Sequence, residues 1–158
     1  MTSALLSLIT QIDDNFFRRN GKALPAPQDI SARAQWLHEE APYSILAHGT
    51  GDDPRFIYAN QFALSCFKYD QEALLQLPSR LSAAPQDRSE RERLLQEVTL
   101  HGIAYDYSGP RVDKFSNTFM IYDGVVWRLS QPDGVPFGQA ALFWTHAQER
   151  PAWFTGIR

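Results

Sequence analysis

Residues 43–60 read YSILAHGTGDDPRFIYAN, and this stretch decides the fold. Tyr43–Gly49 is an apolar run ending in glycine, the pattern of a short strand. Thr50–Pro54 is turn chemistry, with a glycine and two aspartates ahead of a proline. Arg55–Asn60 returns as a second strand, with Phe56 and Tyr58 on one face and Ile57 on the other. The two form a hairpin with a loop of several residues. Asn60 stands between the returning strand and a helical pattern. There its side chain can cap the helix or close an Asx turn, and this reading is favoured over direct contact with a ligand.

N-terminal to the hairpin the texture is helical. Leu5, Leu8, Ile9, Ile12 and Phe16 recur at three- and four-residue spacing, which predicts a helix over residues 3–19. Ser3 suits its N-cap, Arg18 and Arg19 suit its C-terminal dipole, and Gly21 can supply the left-handed stop. The apolar stripe needs a partner, and two readings stand: packing on this chain's own sheet, or the interface of a homodimer. KALPAPQD (22–29) is a linker, because two prolines break any regular element. A second helix is expected over about Ile30–Glu40, with Asp29 as cap and Pro42 ending it.

C-terminal to the hairpin, Phe62, Phe67 and leucines 74, 75 and 77 suit short helices with a break near Tyr69-Asp70. SRLSAAPQD (79–87) is irregular. Residues 88–101 are predicted helical, with Asp87/Glu90 and Ser89/Glu92 matching capping boxes, Leu94, Leu95 and Val98 as the buried stripe, and Gly102 as the stop. Alternation then takes over. IAYDYSG (103–109) and PRVDKF (110–115) form one strand-like passage interrupted at Gly109-Pro110. NTFMIYDGVVWRLSQ (117–131) is the next strand. Asp133-Gly134 is a hairpin turn signal, and FGQAALFWTH (137–146) is the last strand. Trp153 and Phe154 make the tail too aromatic for pure disorder, so it is expected to tuck back or to meet a partner.

Composition bounds the function. At 158 residues the chain fits one domain with a core of its own. Its net charge of -3, with basic residues scattered, excludes a general attraction to polyanions, so no nucleic-acid partner is expected. Aromatics reach 13%, which suits a β-rich core or an aromatic-lined pocket. The single cysteine, Cys66, excludes an intramolecular disulfide framework and a multi-cysteine zinc site. The start lacks a cationic region, and no apolar run is long enough to span a bilayer. A cytoplasmic setting without membrane association is therefore expected.

The predicted order is two helices, two strands, short helices, a long helix and three strands. That is an α+β domain with a five-stranded antiparallel sheet and flanking helices. The layout, with Tyr58-Ala59-Asn60 leading straight into a helix, resembles a PAS domain. More closely, HGTGDDPRFIYAN (48–60), LPSRLSA (77–83) and DYSGPRV (106–112) resemble the MEKHLA family, a PAS-like domain. The family occurs as stand-alone bacterial proteins and at the C-terminus of plant homeodomain–leucine zipper proteins. The resemblance runs from about Trp36 to Phe143. It divides the chain into an N-terminal helix and linker (1–28), a PAS-like domain (29–147) and an aromatic tail (148–158). It implies a sensory or interaction role and no particular reaction.

The candidate ligand-binding residues are Asn60, Arg80, Tyr107, Arg111, Phe119 and Trp127. Arg80 sits in a loop over the expected pocket mouth, poor in local charge partners. It is expected either to pair with Asp106 or to read a ligand carboxylate. Strand alternation places Tyr105 and Tyr107 on one face and Asp106 with Ser108 on the other. The bend at Gly109-Pro110 leaves the side of Arg111 open. Phe119 and Trp127, on neighbouring strands, are expected to help line the core.

No bound cofactor or metal is expected. Cys66 lies six positions after Asn60, without the Asn-Cys-Arg-Phe-Leu-like context of light-sensing flavin PAS domains. His38, His48, His101 and His146 form no close pair at metal-ligand spacing, and haem is the minority option. His48 reads as a donor that stabilises the turn at Gly49. No glycine-rich phosphate loop, nucleophile elbow or histidine cluster is present, so no enzyme is expected. Two functions from different classes remain. One is a sensor binding a small molecule and signalling through its N-terminal helix. The other is an interaction or dimerisation module with a filled core. The chain carries no kinase, cyclase or DNA-binding segment, so any signal is expected to pass to a separate protein.

Overall fold

A computed structural model describes residues 1–83 and 88–158. The fold is PAS-like α+β. Its elements are α1 (Ser3–Asn20), α2 (Arg33–Glu39), β1 (Ser44–His48), β2 (Phe56–Ala59), α3 (Gln61–Phe67), α4 (Gln71–Leu74), a 3-10 turn (Ser79–Ser82), α5 (Arg88–His101), β3 (Ile103–Val112), β4 (Thr118–Ser130) and β5 (Pro136–Trp144). The strands form one antiparallel sheet in the order β2-β1-β5-β4-β3, so the hairpin 43–60 supplies one edge and β3 the other.

Alternation along the strands sorts side chains to two faces, and each face carries its own apolar cluster. The outer face gathers Ile45, Ala47, Tyr58, Val125, Trp127, Leu129, Ala140, Leu142 and Trp144 beneath α1 and α2. The inner face gathers Leu46, Phe56, Tyr107, Ile121, Val126 and Phe143 beneath α3, α4 and α5.

The N-terminal stripe lies on the chain's own sheet. Ile9, Ile12 and Phe16 are at most 2% exposed, with Leu5 and Leu8 partly buried beside them. Phe16 meets Trp127 edge-on, with ring centroids 4.8 Å apart, and the Trp127 indole N–H donates to the Ile12 carbonyl at 3.2 Å. The same burial removes most of this stripe from reach of a partner, so the structure assigns it to the intramolecular reading. Asn15, unremarked in the sequence, fastens α1 to the end of β4. Its amide accepts from Ser130 N–H at 3.0 Å and donates to Ser130 C=O at 3.1 Å, as a neighbouring strand would.

Several boundaries differ from expectation. The α1 N-cap is Thr2, whose hydroxyl accepts from Leu5 N–H, and Gly21 at φ 81° stops the helix as expected. α2 begins three residues late, at Arg33. That guanidinium grips Asp13 of α1 at 2.7 and 2.9 Å and the Leu24 carbonyl at 2.8 Å, and Asp29 caps nothing. The Asp87/Glu90 capping box rests on a residue outside those described. β3 runs unbroken through Gly109-Pro110, because an edge strand tolerates a proline that cannot donate. Its irregularities lie earlier, between Ala104 and Tyr107 and between Tyr107 and Gly109.

Candidate functional site

The inner face of the sheet is the floor of a cavity of about 130 Å³. At about 10–15 Å³ of such volume per water, it holds roughly ten water-sized centres, or a small organic molecule. Its roof is the N-terminal half of α5, through Arg91, Leu94 and Leu95, with the 3-10 turn beside it, through Ser79 and Ser82. The turn lies across the mouth because both its ends are pinned to edge strands. Pro78 bridges to Arg55 next to β2, and Ala83 bridges to Arg111 on β3. Ser79 N–H donates to the Pro54 carbonyl at 2.9 Å, and Phe56 N–H to the Leu77 carbonyl at 3.1 Å. The LPSRLSA stretch thus occupies the place over the pocket that its sequence suggested.

Most of the wall is apolar, with Leu46, Phe56, Ile121, Val126 and Phe143 among its members. Its polar members are Ser79, Ser82, His48, Gln139, Arg91, Tyr107 and Arg111. Among the described lining residues there is no aspartate or glutamate. Arg111 lies on the cavity face, with its guanidinium carbon 5.4 Å from the centre of the Tyr107 ring. His48 and Gln139 are direct cross-strand partners on β1 and β5. The His48 Nδ1 sits 2.9 Å from the Gly49 carbonyl, which can only accept, so Nδ1 carries the proton and Nε2 is left as acceptor. This is the turn-stabilising donor expected from the sequence. Burial pushes the His48 pKa down, against the Gly49 hydrogen bond, and nearby Arg111 pushes it the same way, so the ring is neutral at pH 7.

Of the six candidate ligand residues, Tyr107 and Arg111 line the cavity. Asn60 does not. It is fully buried and its side chain makes four hydrogen bonds: it accepts from Ile45 N–H (3.1 Å) and Ala63 N–H (3.0 Å), and donates to the Leu37 and Tyr43 carbonyls (3.0 Å each). It caps α3 and ties α2, β1 and α3 together. Arg80 is not on the lining and pairs with Asp53 in the hairpin loop at 2.9 Å, rather than with Asp106. Phe119 packs edge-on against Phe67 and is not on the lining. Trp127 lies on the opposite face, under α1. Sequence reasoning missed Arg91 and Gln139 and gave His48 no pocket role. Alternation could have found two of them, since His48 shares a face with Leu46, and Gln139 with Ala141 and Phe143.

Asp106 explains why Tyr105 and Tyr107 part company. Its φ of 62° is left-handed and coincides with the first irregularity in β3. The bulge flips the register, so Tyr107 is buried on the cavity face while Tyr105 packs against the outer cluster. The Tyr105 hydroxyl donates to Asn20 of α1 at 2.6 Å. Asp106 itself is exposed and bonds Arg158 at 3.3 Å.

The cavity does not fit a flavin or a haem. Roughly ten water-sized centres fall far short of either ring system. Cys66 is not on the lining, and burial pushes its thiol up to about 11, so it is protonated and a poor nucleophile at pH 7. His101 is exposed at the end of α5, away from the lining. Among the described residues no group of three or more His, Cys, Asp or Glu could hold a metal ion, and no helix is long and apolar enough to cross a membrane.

Solved structures similar to this chain include PAS and LOV domains. The PAS domain of a protein from Colwellia psychrerythraea superposes with a TM-score of 0.63 at 13% identity, covering 73% of this chain and 94% of that one. The LOV domain of a blue-light-activated histidine kinase from Erythrobacter litoralis gives 0.57 at 15% identity, covering 69% of this chain and 100% of that one. The LOV domain of the blue-light photoreceptor Aureochrome1 gives 0.58 at 15% identity, covering 80% and 90%. At these identities the likeness is one of fold. No curated protein matches the chain. The MEKHLA domain profile matches residues 6–147. The match takes in most of α1, which the sequence reading had left outside, in keeping with the burial of that helix on the sheet. The chain belongs to the MEKHLA domain family.

Proposed function

We propose that this protein is a sensory module that binds a small molecule between the inner face of its sheet and α5, and passes the signal to a separate protein through surface contacts. The observation that carries this reading is the cavity itself. An apolar wall with a few convergent polar groups is the usual make-up of a small-molecule site. The PAS-like fold and the family membership support a sensory role. The single cysteine and the lack of a membrane-spanning helix among the described residues suit a reducing, cytoplasmic setting. The alternative, an interaction module with a filled core, had the N-terminal stripe as its best argument, and α1 buries that stripe within the chain.

Two measurements test the proposal: native mass spectrometry of the purified protein, and thermal-shift screening against a metabolite library. A co-purifying molecule or a library compound is expected to raise the melting temperature. Val126→Trp, which fills the cavity, is expected to abolish the shift while the far-ultraviolet spectrum stays folded. No bound molecule and no stabilising compound would overturn the reading.

A further inference from the structure

We propose that the cavity takes a neutral, compact molecule, about the size of a substituted phenol, that donates a hydrogen bond to His48 Nε2. The inference rests on the sensory reading and narrows the ligand to a chemical class.

Three observations carry it. The first is what the wall offers. His48 lines the cavity, and its Nδ1–H is committed to the Gly49 carbonyl at 2.9 Å. Nε2 of the neutral ring is therefore an acceptor, and among the described residues it has no hydrogen-bond partner. Ser82 is set the same way. It is 4% exposed, lies on the lining, and its hydroxyl donates to the Ser79 carbonyl at 2.8 Å, so its oxygen meets a ligand as an acceptor. Gln139, the cross-strand partner of His48, carries an amide that can turn either end to a ligand. The two groups whose roles are fixed thus both take a donor, either a hydroxyl or an amide N–H.

The second is charge. The described lining holds two arginines and no acid, so a cation entering it is repelled. A carboxylate fares no better. It would leave water for a mostly apolar wall, and such a transfer is favourable only against a cation held in place for it. Arg91 is exposed, and Arg111 is already engaged, with its guanidinium carbon 5.4 Å from the centre of the Tyr107 ring. A neutral molecule avoids both costs. The third is size. Roughly ten water-sized centres admit a molecule of about ten heavy atoms, which is a compact apolar body with one or two polar groups. Leu46, Ile121, Val126 and Phe143 supply the apolar wall for that body.

The test is calorimetric titration of the full chain with four probes: 4-methylphenol, 4-methylanisole, benzoate and benzylamine. The first two share one body and differ in the donor, and the last two are an anion and a cation of similar size. 4-Methylphenol is expected to bind about tenfold more tightly than 4-methylanisole, because the latter leaves the His48 acceptor unmet. It is also expected to bind more tightly than either ion. His48→Phe is expected to erase the preference for the phenol while 4-methylanisole still binds. Should that variant fail to fold, nitrogen NMR of the histidines in the wild-type chain decides the same point. There 4-methylphenol is expected to move the His48 Nε2 resonance and 4-methylanisole to leave it in place. Arg80→Gln, outside the lining, is expected to change nothing. Equal affinity for the phenol and the anisole would overturn the donor, and tighter binding of benzoate or benzylamine would overturn the neutral class. Either result leaves the sensory reading standing. A phenol preference that survives His48→Phe, or an unmoved Nε2 resonance, would overturn the part given to His48. Silence from all four probes overturns the proposal, and the sensory reading falls with it only if the metabolite library and native mass spectrometry are silent too.

Discussion

Asn60 shows how one side chain sets the geometry on which the cavity depends. Its amide satisfies two backbone N–H groups and two carbonyls contributed by α2, the segment before β1, β1 itself and α3. All four are buried beside a residue that is itself fully buried, so no water replaces the amide. Unmade buried hydrogen bonds cost about 1–3 kcal/mol each, with partial relaxation recovering some. Asn60→Ala is therefore expected to lower stability by roughly 3 kcal/mol or more, seen as a lower urea midpoint. Any ligand affinity of the folded fraction stays near wild type, because Asn60 is not on the lining. A strong loss of affinity without loss of stability would contradict this assignment. The capping half of this role was legible in the sequence, since a strand-to-helix asparagine acts on residues one turn away. The other half was not, because bonds to Leu37 and Tyr43 depend on where α2 lands. Arg80 and Asp106 failed as a pair for the same reason. Each found a partner, Asp53 and Arg158, that no local spacing brings near.

At the scale of elements, β3 and β4 each carry a left-handed aspartate, Asp106 at φ 62° and Asp123 at φ 52°, in matching Tyr-Asp pairs. The C-terminal tail reaches both. Arg150 bonds Asp123 and lies 4.4 Å over Trp144, and Arg158 bonds Asp106 and lies 3.8 Å over Tyr105. Between these arginines Trp153 packs on Trp36, Phe154 packs on Trp144, and Ile157 joins the outer cluster. The tail therefore completes the outer layer and braces the row where Tyr107 faces Gly124 across the cavity floor. The apolar residues should dominate its energetics. An exposed ion pair contributes about 0–1 kcal/mol, and a cation over an aromatic ring about 0.5–1 kcal/mol at an exposed site. Three large apolar side chains, each partly buried, contribute roughly 3 kcal/mol together. Arg158→Ala is thus expected to shift the thermal midpoint slightly, and a chain ending at residue 149 to shift it several times more, with tryptophan emission moving to the red as Trp36 and Trp144 meet water. Equal shifts would mean that charge, not apolar packing, holds the tail. The aromatic residues announced that this segment does not float free. Its path was not legible, since the bulges that turn Asp106 and Asp123 toward the arginines arise from register in β3 and β4, which local alternation cannot show.

Across the whole molecule, the two faces of the sheet each hold one histidine whose proton affinity is lowered, His38 buried and His48 half-buried. On the outer side His38 packs against Tyr58, with Nδ1 2.8 Å from the phenol oxygen, and burial pushes its pKa down despite Glu39 nearby. On the inner side burial, reinforced by Arg111, pushes His48 down. The ordinary value for both is 6.5. A base whose folded pKa lies below its unfolded value binds more protons when unfolded, so stability rises with pH through that window. Both contributions are complete above pH 6.5 and are lost as pH falls from there toward the lowered folded values. The sign is the same on both faces, so the effects reinforce. The urea midpoint is expected to fall between pH 7.5 and pH 5.5, before most carboxylates titrate. His38→Gln and His48→Gln should each flatten part of that slope, and the double variant most of it. A midpoint unchanged across this range in the wild-type chain would show that the rings are solvated well enough to charge without penalty.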